Sequence, residues 1–395
     1  MKLYPKYKDS GVEWIGEVPE GWEIKRLKWI CNFLYGESLS AQNREYGNIP
    51  VYGSNGIVGY HNRSITEKPC IIVGRKGSFG KVSFSNEKCY PIDTTYYIDC
   101  TSTKNHLCWL NYLLPLLKMD EFSRDSAVPG LNREDAYQNV VPLPSLHEQT
   151  AIAAYLDRKT AQIDNLISTK QKLIELLKEE RAAIINQAVT KGLNPDVPMK
   201  DSGIEWLGEV PEWWEVLRLK WVCNFLYGKS LSAQEREEDG ITPVYGSNGI
   251  VGYHNRSITE KPCIIVGRKG SFGKVSFSNK KCYPIDTTYY IDRTSTKNNL
   301  RWLNYLLPLL KMDEFSRDSA VPGLNREDAY RNIVALPSSY EQKQIAAYLD
   351  RKTTKIDQTI SNIAKQIDLL QEFRIALISE VVTGKIDVRD EGLNG

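Results

Sequence analysis

Residues 71–84, IIVGRKGSFGKVSF, set three glycines (Gly74, Gly77, Gly80) and three bases (Arg75, Lys76, Lys81) between apolar, β-branched flanks. Glycine turns let backbone N–H groups and lysines approach phosphate. The string recurs, letter for letter, at residues 264–277. Nucleotide motifs do not account for it. A phosphate-binding loop of the GxxxxGK[ST] type needs glycine five residues after Gly74, where Phe79 stands, and Ser or Thr after Lys81, where Val82 stands. A dinucleotide loop needs GxGxxG opening a helix; here GxxGxxG lies between strand-like runs. GRKG also fits the GxxG loop of KH domains, but four residues are a weak signal.

The groups around the string suit base-edge and phosphate contacts in nucleic acid. Arg can bond guanine bidentately and Asn can bond adenine, while hydroxyls serve either. The candidates are Tyr52, Ser54, Asn55, His61, Asn62, Arg63, Arg75, Lys76, Ser78, Lys81, Thr94 and Thr95. Their second-copy counterparts are Tyr245, Ser247, Asn248, His254, Asn255, Arg256, Arg268, Lys269, Ser271, Lys274, Thr287 and Thr288. A lone hairpin of this composition would more often be a solvated turn with bases for solubility. The density of candidates, repeated in one chain, favours recognition.

Other chemistry finds little support. None of the eight cysteines sits in a CxxC pair, which disfavours common zinc modules. Cys100, Cys108, His106 and His147 become Arg293, Arg301, Asn299 and Tyr340 in the second copy, so none is an essential ligand or nucleophile if the copies work alike. No catalytic triad, carboxylate pair or [ND]PP[YFW] string is present, and the chain reads as non-catalytic. The net charge of +2 announces no polyanionic partner, so the claim rests on local clustering. No apolar run approaches membrane-spanning length and the N-terminus lacks a signal-peptide core, so a cytoplasmic protein is expected.

These residues are carried by a duplicated chain. DSGVEWIGEVPEGWE starts at Asp9 and DSGIEWLGEVPEWWE at Asp201, an offset of 192 in 395 residues. One inserted residue near 235–242 makes the offset 193, and from Val51 to Asp99 the copies differ only at Glu87, which is Lys280. Within each copy the texture changes once. Residues 1–143 and 193–336 are rich in Gly, Pro, Tyr and short β-prone runs such as CIIVG, KVSF and TTYYID, with a helical WLNYLLPLLKMDEF interrupted at Pro115. Residues 144–192 and 337–384 hold no internal Gly or Pro. Steps of four and three give Leu156, Thr160, Ile163, Ile167, Lys170, Ile174, Leu177, Arg181, Ile184 and Ala188, seven of them apolar. The second seam is Leu349, Thr353, Ile356, Ile360, Ile363, Ile367, Leu370, Arg374, Leu377 and Val381, eight of them apolar. That 3.5-residue period predicts a coiled coil, most simply between the chain's own two helices. The expected fold is α+β, with two mixed α/β domains, two long helices and a tail at 385–395.

DSGVEWIGEVPEGWE, GRKGSFGKV, PLPSLHEQTAIAAYLD and the junction AVTKGLNPDVPMKDSGIEWLGEVP together resemble the specificity subunit of type I restriction-modification enzymes. The resemblance spans nearly the whole chain. It implies two target-recognition domains, each reading half of a split double-stranded DNA target, and two helices paired antiparallel as a spacer. It also implies partners: two methylation subunits docking on the helices and using S-adenosylmethionine, and restriction subunits using ATP and magnesium. No cofactor is then expected on this chain. Recognition domains in such proteins usually differ; here they are nearly identical, which implies one half-site read twice, in an interrupted palindrome. Two readings from other classes stand beside it: an enzyme with a nucleotide or zinc site, and a coiled-coil scaffold without a DNA role.

Overall fold

The computed structural model describes residues 2–121, 130–237, 239–314 and 323–391. It divides into two compact units: residues 1–170 with 365–395, and residues 171–364. Residues 392–395 of the expected tail lie outside the described set.

The first unit holds β1 (Tyr7–Asp9), β2 (Glu17–Pro19), β3 (Glu23–Arg26), β4 (Leu34–Tyr35), β5 (Ile49–Gly53), β6 (Gly56–His61), β7 (Cys70–Gly74), β8 (Val82–Ser85), β9 (Tyr90–Pro91) and β10 (Thr95–Ile98), then α1 (Leu107–Leu113), α2 (Arg133–Tyr137), β11 (Val140–Leu143) and the start of α3 (Leu146–Lys191). The main sheet has the order β4-β10-β7-β8, all antiparallel. β7 is CIIVG, buried at all five positions. A short continuous run of β-branched residues suits a strand covered on both faces. A smaller sheet, β6-β5-β9, carries the β5–β6 hairpin, whose two-residue loop is Ser54–Asn55. α1 passes at Leu114 into a 3₁₀ turn containing Pro115, as the missing proline N–H requires. The core gathers Trp22, Phe33, Ile71, Val73, Tyr96 and Trp109 with Ile152 and Leu156 of α3.

The second unit repeats this plan: β12 (Met199–Asp201), β13 (Glu209–Pro211), β14 (Glu215–Arg218), β15 (Leu226–Tyr227), β16 (Thr242–Gly246), β17 (Gly249–His254), β18 (Cys263–Gly267), β19 (Val275–Ser278), β20 (Tyr283–Pro284), β21 (Thr288–Ile291), α4 (Leu300–Leu306), α5 (Arg326–Arg331), β22 (Ile333–Leu336) and the start of α6 (Ser339–Val382). Its main sheet is β15-β21-β18-β19.

Both long helices open on a serine–glutamate capping box. Ser145 Oγ accepts from Glu148 N at 3.3 Å while Ser145 N donates to Glu148 Oε2 at 3.2 Å, and Ser338 and Glu341 do the same. Soon after their ends stand Gly192 and Gly384, both in the left-handed region. All twenty seam positions are buried or half-buried. Within the first unit, Arg374 Nε donates to Asp164 Oδ1 at 2.9 Å and Lys170 Nζ to Gln366 Oε1 at 2.7 Å. Within the second, Arg181 Nε donates to Asp357 Oδ1 at 2.9 Å. Partner numbers fall along α6 as they rise along α3, so the helices pair antiparallel within one chain.

The tail packs onto the first unit. Ile386 and Val388 are buried in the core of the first unit, and Asp387 N donates to Lys2 O at 2.8 Å.

Candidate nucleic-acid interface

The glycine-rich string is the β7–β8 connection. Gly74 N donates to Lys81 O and Gly80 N to Gly74 O, both at 2.8 Å, which folds residues 75–80 into a compact loop. A Cβ at Gly74 would collide with Ser78 O, and Gly80, at φ +74°, sits against the Asp120 backbone. Side chains are excluded at both positions by the close approach of other backbone.

Three turns meet there. Arg75 N and Lys76 N donate to Thr94 O at 2.8 and 3.2 Å, joining the loop to the β9–β10 turn. Lys81 Nζ donates to Asn55 Oδ1 at 2.7 Å and Asn55 O at 3.2 Å, joining it to the β5–β6 turn. Leu131 N donates to Arg75 O at 2.8 Å, and Tyr96 Oη donates to Leu131 O at 3.1 Å. Burial, with Tyr35 beside it, pushes the Tyr96 hydroxyl up, against the opposing pull of Arg75, so it stays a neutral donor.

Arg75 is half-buried and held in one pose. Its Nη1 donates to Asp93 O at 3.0 Å, and its guanidinium lies 5.1 Å from the Tyr35 ring centre. Arg133 of α2 lies 5.2 Å from the same ring. Tyr35 thus carries two guanidinium groups, each at cation–π distance. The second unit repeats this: Arg268 donates to Asp286 O at 3.0 Å, and Arg268 and Arg326 lie 5.2 and 5.3 Å from Tyr227. Lys274 Nζ there donates to Asn248 Oδ1 at 2.6 Å.

The structure therefore sorts the predicted residues. Ser54, Asn55, Arg75, Lys76, Ser78, Lys81 and Thr94 converge, as do Ser247, Asn248, Arg268, Lys269, Ser271, Lys274 and Thr287. Asn55, Lys76, Ser78 and Lys81 are exposed. Asn62 and Arg63 are exposed too, but they follow the far end of β6, a six-residue strand that starts at the hairpin turn. At about 3.3 Å per residue this sets them well away from the cluster, and Asn255 and Arg256 follow β17 likewise. Four residues are corrected outright. Thr95 and Thr288 are wholly buried, each hydroxyl donating at 2.7 Å to the backbone oxygen three residues earlier. Tyr52 and Tyr245 are buried against Cys70 and Cys89, and Cys263 and Cys282. Their strands are covered on both faces here, since Val51, Val244, Tyr96 and Tyr289 beside them are buried as well. His61 is also buried; its Nδ1 accepts from Glu45 N at 3.0 Å, which is a structural task. Its counterpart His254 is half-buried, with Nδ1 3.1 Å from the Glu237 carboxylate.

Tyr35 and Arg133, and Tyr227 and Arg326, were missed. About a hundred residues separate Tyr35 from Arg133, and no local pattern links them. Among the described residues no group of three or more His, Cys, Asp or Glu could hold a metal ion, and no helix is long and apolar enough to cross a membrane.

Known proteins share this plan. The family described as type I restriction modification DNA specificity domain matches residues 19–178 and again 211–369. The type I restriction enzyme MjaVIII specificity subunit of Methanocaldococcus jannaschii is 25% identical over 418 residues, covering 94% of this chain and 95% of that one. A solved chain from a study of complex assembly and conformational transition of the type I R-M system matches with TM-score 0.73 at 14% identity, covering 93% of this chain and 99% of its own. The HsdS subunit of Thermoanaerobacter tengcongensis matches with TM-score 0.55 at 15% identity, over 93% and 98%. Both structural likenesses concern the fold, and with the twice-matched domain they place this protein: the chain belongs to the type I restriction-modification DNA specificity family, carrying two copies of its domain.

Proposed function

We propose that the chain is the DNA-reading subunit of a type I restriction-modification complex and has no catalytic activity of its own. It reads a split duplex target and directs methylation and cleavage by partner subunits. The observation that carries this reading is the convergence, in both units, of three turns bearing one fixed guanidinium, exposed lysines, an amide and hydroxyls. A guanidinium locked by Asp93 O and Tyr35 loses little entropy on meeting a base edge, which suits bidentate readout of guanine. Exposed Lys76 and Lys269, beside it, suit phosphate.

The two half-sites are the same sequence, inverted. The support is the identity of the two candidate clusters and the opposite direction of α3 and α6. The methylation partners use S-adenosylmethionine and dock on the helices; the restriction partners use ATP and magnesium. Methylation falls on an adenine in each half.

Two measurements test this. Binding of duplex DNA by the purified chain is expected to weaken steeply with salt as counterions cease to drive association. A chain that binds no DNA at low salt is a scaffold instead. Purified chain incubated with plasmid, magnesium, ATP and S-adenosylmethionine is expected to leave the DNA unmethylated and uncut. Methyl incorporation or strand breaks would refute the non-catalytic reading.

A further inference from the structure

The two copies are natural variants of each other, and one difference opens a recess. Gly21 stands where the second copy has Trp213, and His147 where it has Tyr340. In the second unit two indoles converge on one carboxylate oxygen: Trp213 Nε1 and Trp214 Nε1 donate to Glu341 Oε1 at 3.1 and 3.2 Å. Glu341 Oε2 is held by the Ser338 cap. In the first unit the same cap holds Glu148 Oε2, through Ser145 N and Oγ at 3.2 and 2.8 Å. Glu148 Oε1 receives Trp22 Nε1 at 3.1 Å, and among the described residues no second indole reaches it.

A cavity of about 520 Å³ is lined by Gly21, Trp22 and Glu148, with Tyr4, Pro19 and Arg389 among its other walls. Nothing stands within 4 Å of a Cβ built at Gly21. Arg389 packs 4.8 Å from the Tyr4 ring centre, and Tyr4 Oη is buried without a hydrogen-bond partner among the described residues. Aromatic walls, a cation and a carboxylate oxygen that already accepts one indole N–H favour a neutral aromatic N–H group over an anion.

We propose that this recess docks a tryptophan side chain from another protein chain, its indole N–H donating to Glu148 Oε1. The incoming indole N–H takes the hydrogen-bonding role that the half-exposed Trp213 has toward Glu341 in the second unit. A partner using the recess engages the first unit only, which distinguishes two otherwise like halves. The inference does not depend on the DNA reading.

The test is titration of the full chain with N-acetyl-tryptophanamide, followed by saturation-transfer NMR. Binding is expected. Gly21→Trp, which installs the residue the second copy already carries, is expected to weaken binding about tenfold or more by filling the site. N-acetyl-phenylalaninamide, which lacks the donor, is expected to bind about fivefold more weakly. The Trp22 indole N–H signal should shift on titration, because that group shares Glu148 Oε1, and this readout needs no variant. A stationary Trp22 signal, equal binding of the two amides, or binding unaffected by Gly21→Trp would each overturn the proposal.

Discussion

Arg75 shows what a residue's type and its surroundings each contribute. The guanidinium is the right group for a base edge, and Asp93 O and Tyr35 hold it in place. Changing Arg75 and Arg268 together to Ala is expected to cost about 1–3 kcal/mol at each half-site and to abolish specific binding, with the fold intact. Lys88, outside the loop and paired with Glu67 at 2.8 Å, serves as the control. Lys88→Ala is expected to have a small, sequence-independent effect, and equal losses in a binding titration would put the reading surface elsewhere. Thiol chemistry gives a second check. Cys100 is exposed, whereas Cys31, Cys70, Cys89, Cys223, Cys263 and Cys282 are buried. Burial pushes the Cys223 thiol up to about 12, so almost none of it is thiolate at pH 8. Iodoacetamide at that pH is expected to modify Cys100 first, read by peptide mass spectrometry, and early labelling of Cys223 would contradict the packing. At this scale the glycine string was legible as a turn between strands, but the sequence assigned its glycines to phosphate approach, whereas Gly74 and Gly80 make room for Ser78 O and the Asp120 backbone. The inward facing of Thr95 and Tyr52 was not, because a polar residue in a short strand does not announce which face is covered. Tyr35 and Arg133 meet only through tertiary folding.

At the scale of elements the helices were the most legible part. A 3.5-residue seam without glycine or proline leaves one regular structure open to it, whereas the capping boxes at the starts emerged only in the structure. The seam's weight can be measured. Ile163, 8% exposed, is expected to cost about 2–4 kcal/mol as Ala, seen as a lower Tm. Leu176, 60% exposed on the same helix, is expected to change stability by no more than about 0.5 kcal/mol. Equal effects would mean the helix faces another way. Arg181 and Arg374 occupy seam positions and reach Asp357 and Asp164, both fork-like. These half-exposed pairs add at most about 1 kcal/mol each, and their main effect is on register. The strand pairings were less legible. Runs of two to six residues could be recognised as strands, but their order in the sheet depends on contacts distant in sequence.

At the scale of the molecule the duplication was plain from one offset, and so was the presence of two like domains. The partition was not, because each compact unit takes its helical part from both long helices, and the C-terminal tail returns to the first unit. Local sequence carries no mark of such a return. Near-identity of the two candidate clusters leads to the expectation that exchanging residues 51–99 with 244–292 leaves specificity unchanged, since the segments differ at Glu87 and Lys280 alone. An altered methylation pattern in the exchanged protein would assign specificity to those two residues. The central claim, that this chain chooses a DNA target by reading one half-site twice, meets its most direct test in a map of methylated adenines. The DNA should be modified by the chain together with its methylation partners. The predicted result is an interrupted palindrome, with one methylated adenine in each of two inverted halves around an unspecified gap. Two halves unrelated in sequence would contradict it.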